Sequence, residues 1–387
     1  MKILHTSDWH LGHVLYNFDR TEEQEAMLLK MADIVREEKP DVFLVSGDVY
    51  HTSQPSAAVQ TMFANAIVRI HDANPKMPII ITAGNHDSSS KHEIFRIPWE
   101  ALHVYTIGSI PAEQRDDLII EIPDKGFVIA VPYVNERNLP KGLYQELLDD
   151  VAERNTQGLP VIMTAHTTVR GCDFTGNDTT TEYTVGGIDY YDLNELGSGY
   201  DYMALGHIHR AQFVHGSNHR ARYSGTPIPI SFDEQYSHSV SIVEINEHGD
   251  QPKVREIEIQ TQRPLVTLPA KGTATWEEAK TLLADFPDDV EAYIRLNVEV
   301  ENFLPAEANN EAHMLTKNKK CKFCLINVKR KESSQSDIKT MTVQEFQAEH
   351  PIDIAKRYAK DKGIDFTEDM EAMFKEVLED INQENQQ

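Results

Sequence analysis

Short apolar runs alternate with longer amphipathic stretches along the first part of the chain. Apolar runs cover residues 3–4, 41–46 and 78–82, and each is short enough to be a buried strand. Between them, apolar side chains recur every three or four positions over residues 27–35 and 59–70, which is the spacing of a helix packed on one face. The order strand, helix, strand, helix, strand predicts βαβ units and a mostly parallel sheet.

The same pattern continues with shorter elements. Thr21 and Gln24 fit a capping box at the start of the first helix. Further strands are predicted at residues 103–107, 118–122, 127–132, 160–165, 202–205, 240–245 and 254–259, with a helix around residues 143–151. From about residue 263 a smaller α+β region begins, with a helix near Trp276 and strands at 293–298 and 323–328. Two terminal helices, at 342–362 and after Thr367, complete the chain. We therefore predict three domains, residues 1–262, 263–338 and 339–387.

Polar side chains that can bind metals follow five of the predicted strands. They are Asp8 with His10, Asp48, Asn85 with His86, His166, and His207 with His209. One Asp-x-His pair occurs often by chance, but five such strand ends in one chain do not. Because ligands bind outside the carboxyl ends of strands in open α/β sheets, we expect these side chains to converge.

The chemistry of these residues suits two metal ions that act together on a phosphoester. Asp48 suits the bridging position, since a carboxylate has two oxygens, and Asp8 with His10 would complete the shell of one ion. Other ligands would be the Asn85 carbonyl oxygen and the imidazoles of His166, His207 and His209. Mixed nitrogen and oxygen ligands favour Mn²⁺, Fe²⁺ or Zn²⁺ over Ca²⁺. His86, beside a ligand, would stabilise developing charge or protonate the leaving oxygen.

Composition limits the function classes. The chain of 387 residues has a formal net charge of −25, so it does not carry a general nucleic-acid-binding charge, and DNA binding would need metals, a local basic patch or a partner. Three cysteines argue against a disulfide framework, and no apolar run approaches the ~20 residues of a membrane span. We expect a cytoplasmic, nucleoid-associated protein without a membrane segment.

The motifs resemble those of a known family. The full ligand pattern resembles the calcineurin-like metallophosphoesterase superfamily, and three stretches narrow the resemblance to the SbcD nuclease family, the bacterial relative of the double-strand-break-repair nuclease. These stretches are Ser7-Asp8-Trp9-His10-Leu11-Gly12, Gly47-Asp48-Val49-Tyr50-His51 and Gly84-Asn85-His86-Asp87-Ser88. Tyr223-Ser224-Gly225-Thr226-Pro227 and Arg263-Pro264-Leu265 fit as well. The resemblance is specific over residues 1 to about 270.

The resemblance implies a fold and a complex. The fold is a four-layer αββα sandwich with a smaller α+β capping domain that recognises DNA and with C-terminal helices. The activity is Mn²⁺-dependent, with Mg²⁺ as the alternative, and consists of exonuclease and endonuclease cleavage of double-stranded DNA ends and hairpins. The partner is the SMC-like ATPase SbcC, bound by the C-terminal helices in a heterotetramer that contains a homodimer of this chain. No ATP-binding G-x-x-x-x-G-K-[ST] loop occurs in the sequence, in agreement with an ATPase in a separate chain.

The resemblance also implies roles for individual residues. One ion would be held by Asp8, His10, Asp48 and His209, and the other by Asp48, Asn85, His166 and His207. His86 would be the transition-state histidine, supported by His51.

Two other functions remain open at this point. A stand-alone phosphodiesterase for small phosphoesters would use the same metals, although it would not need the ~120 residues beyond the catalytic core. A non-catalytic anchor for an SMC-like ATPase would need the terminal helices but not a full ligand set.

Three weaker signals each have a structural alternative. The basic cluster at residues 317–331 either contacts DNA phosphates or is a solvated edge. Cys321 and Cys324 have metal-like spacing, but no second pair exists, and alternation around them is typical of a strand. The apolar stripe from Met370 to Ile381 packs either on a partner or on this chain.

Overall fold

The fold is described from a computed structural model over residues 1–94, 96–111, 115–176 and 190–331, together with Lys356, Thr367, Met370 and Glu371. The chain divides into two compact units, residues 1–330 and residues 331–387. Over the described residues, the helices are either too short or too polar to pass through a bilayer.

Strands and helices are numbered here in chain order over the described residues. The strands are β1 (Lys2–Thr6), β2 (Val42–Ser46), β3 (Ile79–Thr82), β4 (Val104–Ile107), β5 (Ile119–Ile122), β6 (Gly126–Ala130), β7 (Val161–His166), β8 (Tyr202–Gly206), β9 (Gln212–Phe213), β10 (Ala221–Tyr223), β11 (Ser239–Glu244), β12 (Lys253–Glu258), β13 (Leu265–Leu268), β14 (Tyr293–Val300) and β15 (Lys322–Arg330). The helices are α1 (Thr21–Glu38), α2 (Ala57–Ala73), α3 (Ser89–Ile94), α4 (Arg96–Glu100), α5 (Leu143–Arg154), α6 (Trp276–Asp285) and α7 (Ala308–Thr316).

Two six-stranded sheets form the body of the first unit. The first has the order β12-β11-β1-β2-β3-β4, in which β1 to β4 run parallel, β11 pairs antiparallel with β1, and β12 pairs antiparallel with β11. The second has the order β5-β6-β7-β8-β10-β9, in which β6, β7, β8 and β10 run parallel. The predicted mixed α/β fold with largely parallel sheets is therefore confirmed.

The layers follow from side-chain alternation along β2. Phe43 and Val45 point into the apolar cluster with α1 and α2, while Val42 and Leu44 join the cluster between the two sheets. All of β2 is buried, as expected for a parallel strand covered on both faces. On the far side, α5 packs on the second sheet through residues that include Leu147. The order helix, sheet, sheet, helix is the predicted four-layer sandwich.

A third, smaller sheet follows the sandwich. Its strands, in the order β13-β14-β15, all run parallel, and α6 and α7 cover it with a separate apolar core that includes Leu283 and Phe323. A capping box of Thr275 and Glu278 begins α6. The strands and helix predicted beyond residue 263 are present, and we call β13–β15 with α6 and α7 the small domain.

The capping box predicted at Thr21 and Gln24 is wrong. Arg20 is the N-cap residue of α1 and makes no capping bond through its side chain, and the Thr21 N–H donates instead to Asp19 Oδ1 at 2.8 Å. Gln24 instead accepts a hydrogen bond from the Gly12 N–H through Oε1 at 3.0 Å and donates to the His13 carbonyl through Nε2 at 3.3 Å. The Gln24 side chain, which the local pattern assigned to helix capping, therefore stabilises the loop after β1.

The predicted terminal helices lie mostly outside the described residues. At Thr367, the Met370 N–H donates to Oγ1 at 3.4 Å and the Glu371 N–H donates to the carbonyl at 3.0 Å. These two bonds are those of a capped first helical turn, at the place where the second terminal helix is predicted to begin. The remainder of the stripe to Ile381, and residues 342–362 apart from Lys356, are not described.

Candidate metal centre

Four of the predicted ligands have a strained backbone conformation at the ends of their strands. Asp8, His10, Asp48 and His207 have φ values of 52°, 45°, 50° and 97°. Such conformations are unfavourable for residues other than glycine and cost about 1–3 kcal/mol each. Four of them at one edge of the sheets indicate a functional constraint on where these side chains point.

The strained turns bring the predicted ligands into two adjacent groups. The first group is Asp8, His10 and His209, and the second is Asp48, His166 and His207; within each, the ligand atoms lie within 4.8 Å of one another. Asn85 joins the second group, because its Oδ1 lies 3.0 Å from both His166 Nε2 and His207 Nδ1. The structure therefore places all seven predicted ligands together.

Asp48, a member of the second group, also faces the first group. Its Oδ2 is 3.9 Å from His10 Nε2 in the first group and 3.3 Å from His166 Nε2 in the second. The carboxylate is 2% exposed, so no bulk water solvates its charge. A buried carboxylate next to imidazole nitrogens on both sides has the chemistry of a bridging ligand.

Two glycines make this close approach feasible. A Cβ on Gly84 would lie 2.1 Å from Asp48 Oδ1, and a Cβ on Gly206 would lie 1.8 Å from the Ser46 carbonyl oxygen. Any side chain at these positions would displace the Asp48 carboxylate or the end of β2.

Outer hydrogen bonds fix which nitrogen of two histidines can bind a metal. His166 Nδ1 donates to the Ser46 carbonyl at 2.8 Å, and His209 Nδ1 donates to Glu234 Oε1 at 3.1 Å. Both partners only accept, so Nε2 of each ring carries the lone pair in the neutral form. His209 Nε2 lies 3.3 Å from His10 Nε2. Two ring nitrogens facing each other across a buried space fit a shared metal ion.

Buried charges alter the proton affinities of the second group. Burial would lower the pKa of His166, but the Asp48 carboxylate raises it to about 10. Burial would raise the pKa of Asp48, but His166 holds it well below the usual range. Burial and the neighbouring His166 lower the pKa of His207 to about 3. Asp48 and His207 are thus in the forms that bind metals, while His166 must release a proton.

His86 and His51 lie beside the first group. The His86 N–H donates to Asp48 Oδ1 at 2.9 Å, and His86 Nδ1 donates to the His51 carbonyl at 2.9 Å. The two rings stack with centroids 5.8 Å apart. The contact that orients His86 therefore comes from the His51 main chain. His10, His51 and His86 also form a cluster with ligand atoms within 4.8 Å of one another, which contains no carboxylate.

Two acidic residues near the site were not assigned roles from sequence. Asp87 accepts from the N–H groups of Gly84 at 2.9 Å, Val49 at 3.1 Å and Tyr50 at 2.9 Å, and so joins the two loops that carry Asp48 and His86. The position of Asp87 in the motif Gly84-Asn85-His86-Asp87 was a sequence signal that could have indicated this role. Glu234, which binds His209, has no local signal, because it lies in a turn-rich stretch after β10.

Two of the three weaker sequence signals lie in the small domain, whereas the apolar stripe from Met370 to Ile381 lies mostly outside the described residues. Cys321 and Cys324 are free thiols next to and in β15, as the strand interpretation predicts. In the basic cluster, Lys319 Nζ contacts Asp288 Oδ1 at 2.6 Å and Lys322 Nζ lies 5.2 Å from the Phe18 ring centroid. Lys319 and Lys322 therefore make contacts within the chain. Contact of the basic cluster with DNA stays a prediction.

Comparison with known proteins assigns the chain to a family. The family model described as calcineurin-like phosphoesterase matches residues 1–211. The chain belongs to the calcineurin-like phosphoesterase family. Both ligand groups lie within the matched residues. Their nitrogen and oxygen donors fit a dinuclear metal site.

Curated relatives are similar over most of their length. The D subunit of nuclease SbcCD from Bacillus subtilis is 31% identical, over 82% of this chain and 83% of that relative. The proteins of the same name from Rhodobacter capsulatus and Escherichia coli K12 are each 30% identical, over 72% and 69% of this chain and 74% and 70% of the relatives. Within the phosphoesterases, the chain belongs to the family of these SbcD nuclease proteins. A dimetal phosphatase from Danio rerio is 11% identical, with a TM-score of 0.39 over 66% of this chain and 98% of that one.

Proposed function

We propose that this chain is the nuclease subunit of an ATP-driven DNA-end-processing complex and hydrolyses phosphodiesters with two divalent metal ions. The observation that carries the proposal is the position of Asp48, with Oδ2 within 3.9 Å of a histidine nitrogen in each of two ligand groups. Family membership supports a metal-dependent phosphodiester hydrolase, and the names of the relatives support nuclease action within a complex.

We assign the ligands as the motifs imply. The first ion would be held by Asp8, His10, Asp48 and His209, and the second by Asp48, Asn85, His166 and His207. Two such ions, Mn²⁺ or Mg²⁺, would polarise the phosphodiester and supply a hydroxide nucleophile near neutral pH. The chain holds these donors in place through the buried strand ends and through Ser46 and Glu234.

His86 handles the proton of the leaving group in this proposal. The His51 carbonyl holds Nδ1–H, so Nε2 is the nitrogen available to a substrate oxygen. The His86 ring is edge-on to His10, with centroids 5.0 Å apart, which places it next to the first group. A protonated Nε2 there can stabilise charge on the phosphate or protonate the leaving oxygen. The His51 ring packs behind it.

DNA ends and hairpins are the proposed substrates, and an SbcC-type ATPase is the proposed partner. A chain with net charge −25 repels the DNA backbone, so the partner would supply most of the positive surface. We propose that residues 263–338 form the capping, DNA-recognising domain and that residues 339–387 bind the coiled coil of the ATPase. A homodimer of this chain within a heterotetramer completes the assembly.

A substrate panel tests the proposal. Purified full-length chain, with and without co-purified ATPase and ATP, is assayed on a linear duplex, a DNA hairpin and an aryl phosphodiester in Mn²⁺ or Mg²⁺. We expect cleavage of all three, with the duplex dependent on the ATPase and ATP, and none with Asp48→Asn prepared in parallel. Hydrolysis of the aryl ester but never of DNA would favour a small-molecule phosphodiesterase. Inactivity on all three with tight ATPase binding would favour a non-catalytic anchor.

A further inference from the structure

Residues 229–234, which we call the junction segment, lie between the first ligand group and the small domain. On the metal side, Glu234 is 6% exposed, and its Oε1 accepts from His209 Nδ1 at 3.1 Å. Its Oε2 accepts from Thr226 Oγ1 and from the Ile230 N–H, each at 3.2 Å. Both carboxylate oxygens are therefore occupied, and the side chain is held pointing at His209.

On the other side, the small domain holds the junction segment through Arg295 of β14. Arg295 Nη1 donates to Asp233 Oδ1 at 2.5 Å, and Nη2 donates to the Phe232 carbonyl at 3.2 Å. The guanidinium also lies over the Phe232 ring, 5.3 Å from its centroid. Arg295 is 8% exposed. A buried guanidinium with three contacts to two successive residues fixes the backbone immediately before Glu234.

A second buried network holds the start of the segment. Arg20 Nη1 donates to the Pro229 carbonyl at 2.6 Å, and Arg20 Nε donates to Glu23 Oε2 at 2.8 Å. Tyr293 of β14 donates to the other oxygen of Glu23 at 2.7 Å. Residues of β14 therefore hold the junction segment at both ends, once directly and once through α1.

We propose that Glu234 is a positioning residue for His209 and that Arg295 sets the position of Glu234, so that the small domain tunes the metal affinity of the first ligand group. The inference rests on the proposed role of His209 as a ligand. A carboxylate on the outer nitrogen of a ligating histidine fixes its orientation and raises its basicity, and loss of such a partner costs about 10- to 100-fold in metal affinity. A displacement of β14 would be transmitted to His209 by the contacts of Arg295 with the junction segment and then by the Glu234–His209 hydrogen bond.

Titration of the metal-free, full-length protein with Mn²⁺, followed by calorimetry, tests this directly. We expect two sites in the wild type. Glu234→Gln keeps the shape but loses the charge, and should weaken one site about tenfold while sparing the other; Glu234→Ala should weaken it up to about 100-fold. Arg295→Met should weaken the same site by a smaller factor. Adding Arg295→Met to Glu234→Ala should cause no further loss, because the effect of Arg295 passes through Glu234.

Two matched controls separate positioning from general stability. Asp201→Asn disrupts another carboxylate–histidine pair with a buried carboxylate, in which the Nδ1 atom of the partly exposed His248 lies 2.9 Å from Asp201 Oδ2 at the opposite end of β8. Arg330→Met makes the same change as Arg295→Met on the neighbouring strand of the small sheet. Both should lower stability at most, with wild-type Mn²⁺ affinities.

Three results would overturn the inference. Unchanged affinities in folded Glu234→Gln and Glu234→Ala would remove Glu234 from the metal site, and the glutamine variant decides if the alanine variant does not fold. An unchanged affinity in Arg295→Met would remove the coupling to the small domain. Fewer than two Mn²⁺ per wild-type chain would overturn the proposed function itself, and with it this inference.

Discussion

His166 and His209 belong to the two ligand groups of the proposed metal centre, but different parts of the molecule hold them. The outer nitrogen of His166 binds the Ser46 carbonyl, at the end of a strand buried on both faces. The outer nitrogen of His209 binds Glu234, whose segment is held by the small domain. The contacts of His166 thus lie within the sandwich, while those of His209 extend to the small domain. If the proposed coupling through Glu234 is correct, the small domain can influence one ligand group without any change in the ligands themselves.

In the proposed site Asp48 binds both ions, so its loss should have the largest effect. We expect Asp48→Ala to bind neither ion tightly and to lose at least about 10³-fold in hydrolysis, because several kcal/mol of transition-state stabilisation depend on the ions. Calorimetric Mn²⁺ titration and the aryl-ester rate check this. A variant that lost one ion and kept the other would show that Asp48 serves only one ligand group.

Substitution of His86 should reduce the rate of hydrolysis without weakening metal binding at either ligand group. His86→Ala should keep both Mn²⁺ affinities and lose about 10²-fold or more in the rate, as expected when a general acid is removed. Single-turnover cleavage of the aryl ester and of a DNA hairpin at saturating Mn²⁺ measures this. An unchanged rate would remove His86 from the mechanism, and a lost metal ion would make it a ligand.

Metal binding by the second group should depend on pH through His166. Its pKa is raised to about 10, so it is protonated at neutral pH in the metal-free protein and the ion must displace that proton. Apparent Mn²⁺ affinity should rise by up to about tenfold per pH unit between pH 6.5 and 8.5. The same raised pKa stabilises the metal-free fold fully below pH 6.5, and this contribution is lost as the pH rises through 10.

Calorimetry in buffers with different ionisation enthalpies counts the protons released. Release of about one proton for the second group at pH 7.5 is expected, and no release would contradict the pairing of His166 with Asp48.

The smallest effect is expected at His51. His86 Nδ1 donates to the main-chain carbonyl of His51, and any residue at position 51 keeps that carbonyl. His51→Ala should therefore slow hydrolysis only by a few-fold, well below the loss in His86→Ala. Rates of the two variants under identical conditions decide this. Equal losses would show that the His51 imidazole itself acts on the substrate or on His86.

The sequence predicted the parallel sheet and the convergence of the candidate ligands because both are encoded locally, whereas the four-layer sandwich was implied by the family resemblance. Each ligand follows its own strand by a few residues, and parallel strands bring their carboxyl ends to one edge. The predictions at Asp8, Asp48 and His166 needed no knowledge of distant contacts. The roles of the ligands stay predictions until a metal is bound.

What the sequence missed depends on contacts between distant residues or on the main chain. Glu234 lies 25 residues from His209, in a segment without periodicity, and only the tertiary fold brings it to the ring. Gln24 has the sequence position of a capping residue, but its side chain accepts a hydrogen bond from Gly12 in the loop after β1. The support of His86 by a carbonyl cannot be read from residue types, since every residue has one.

Anomalous diffraction from crystals of the full-length protein grown with Mn²⁺ would show directly whether Asp48 bridges two ions. We predict two peaks on either side of Asp48, one bound by Asp8, His10 and His209 and the other by Asn85, His166 and His207, with His86 bound to neither. A single peak, or an ion held by the carboxylate-free cluster of His10, His51 and His86, would contradict a two-ion centre bridged by Asp48.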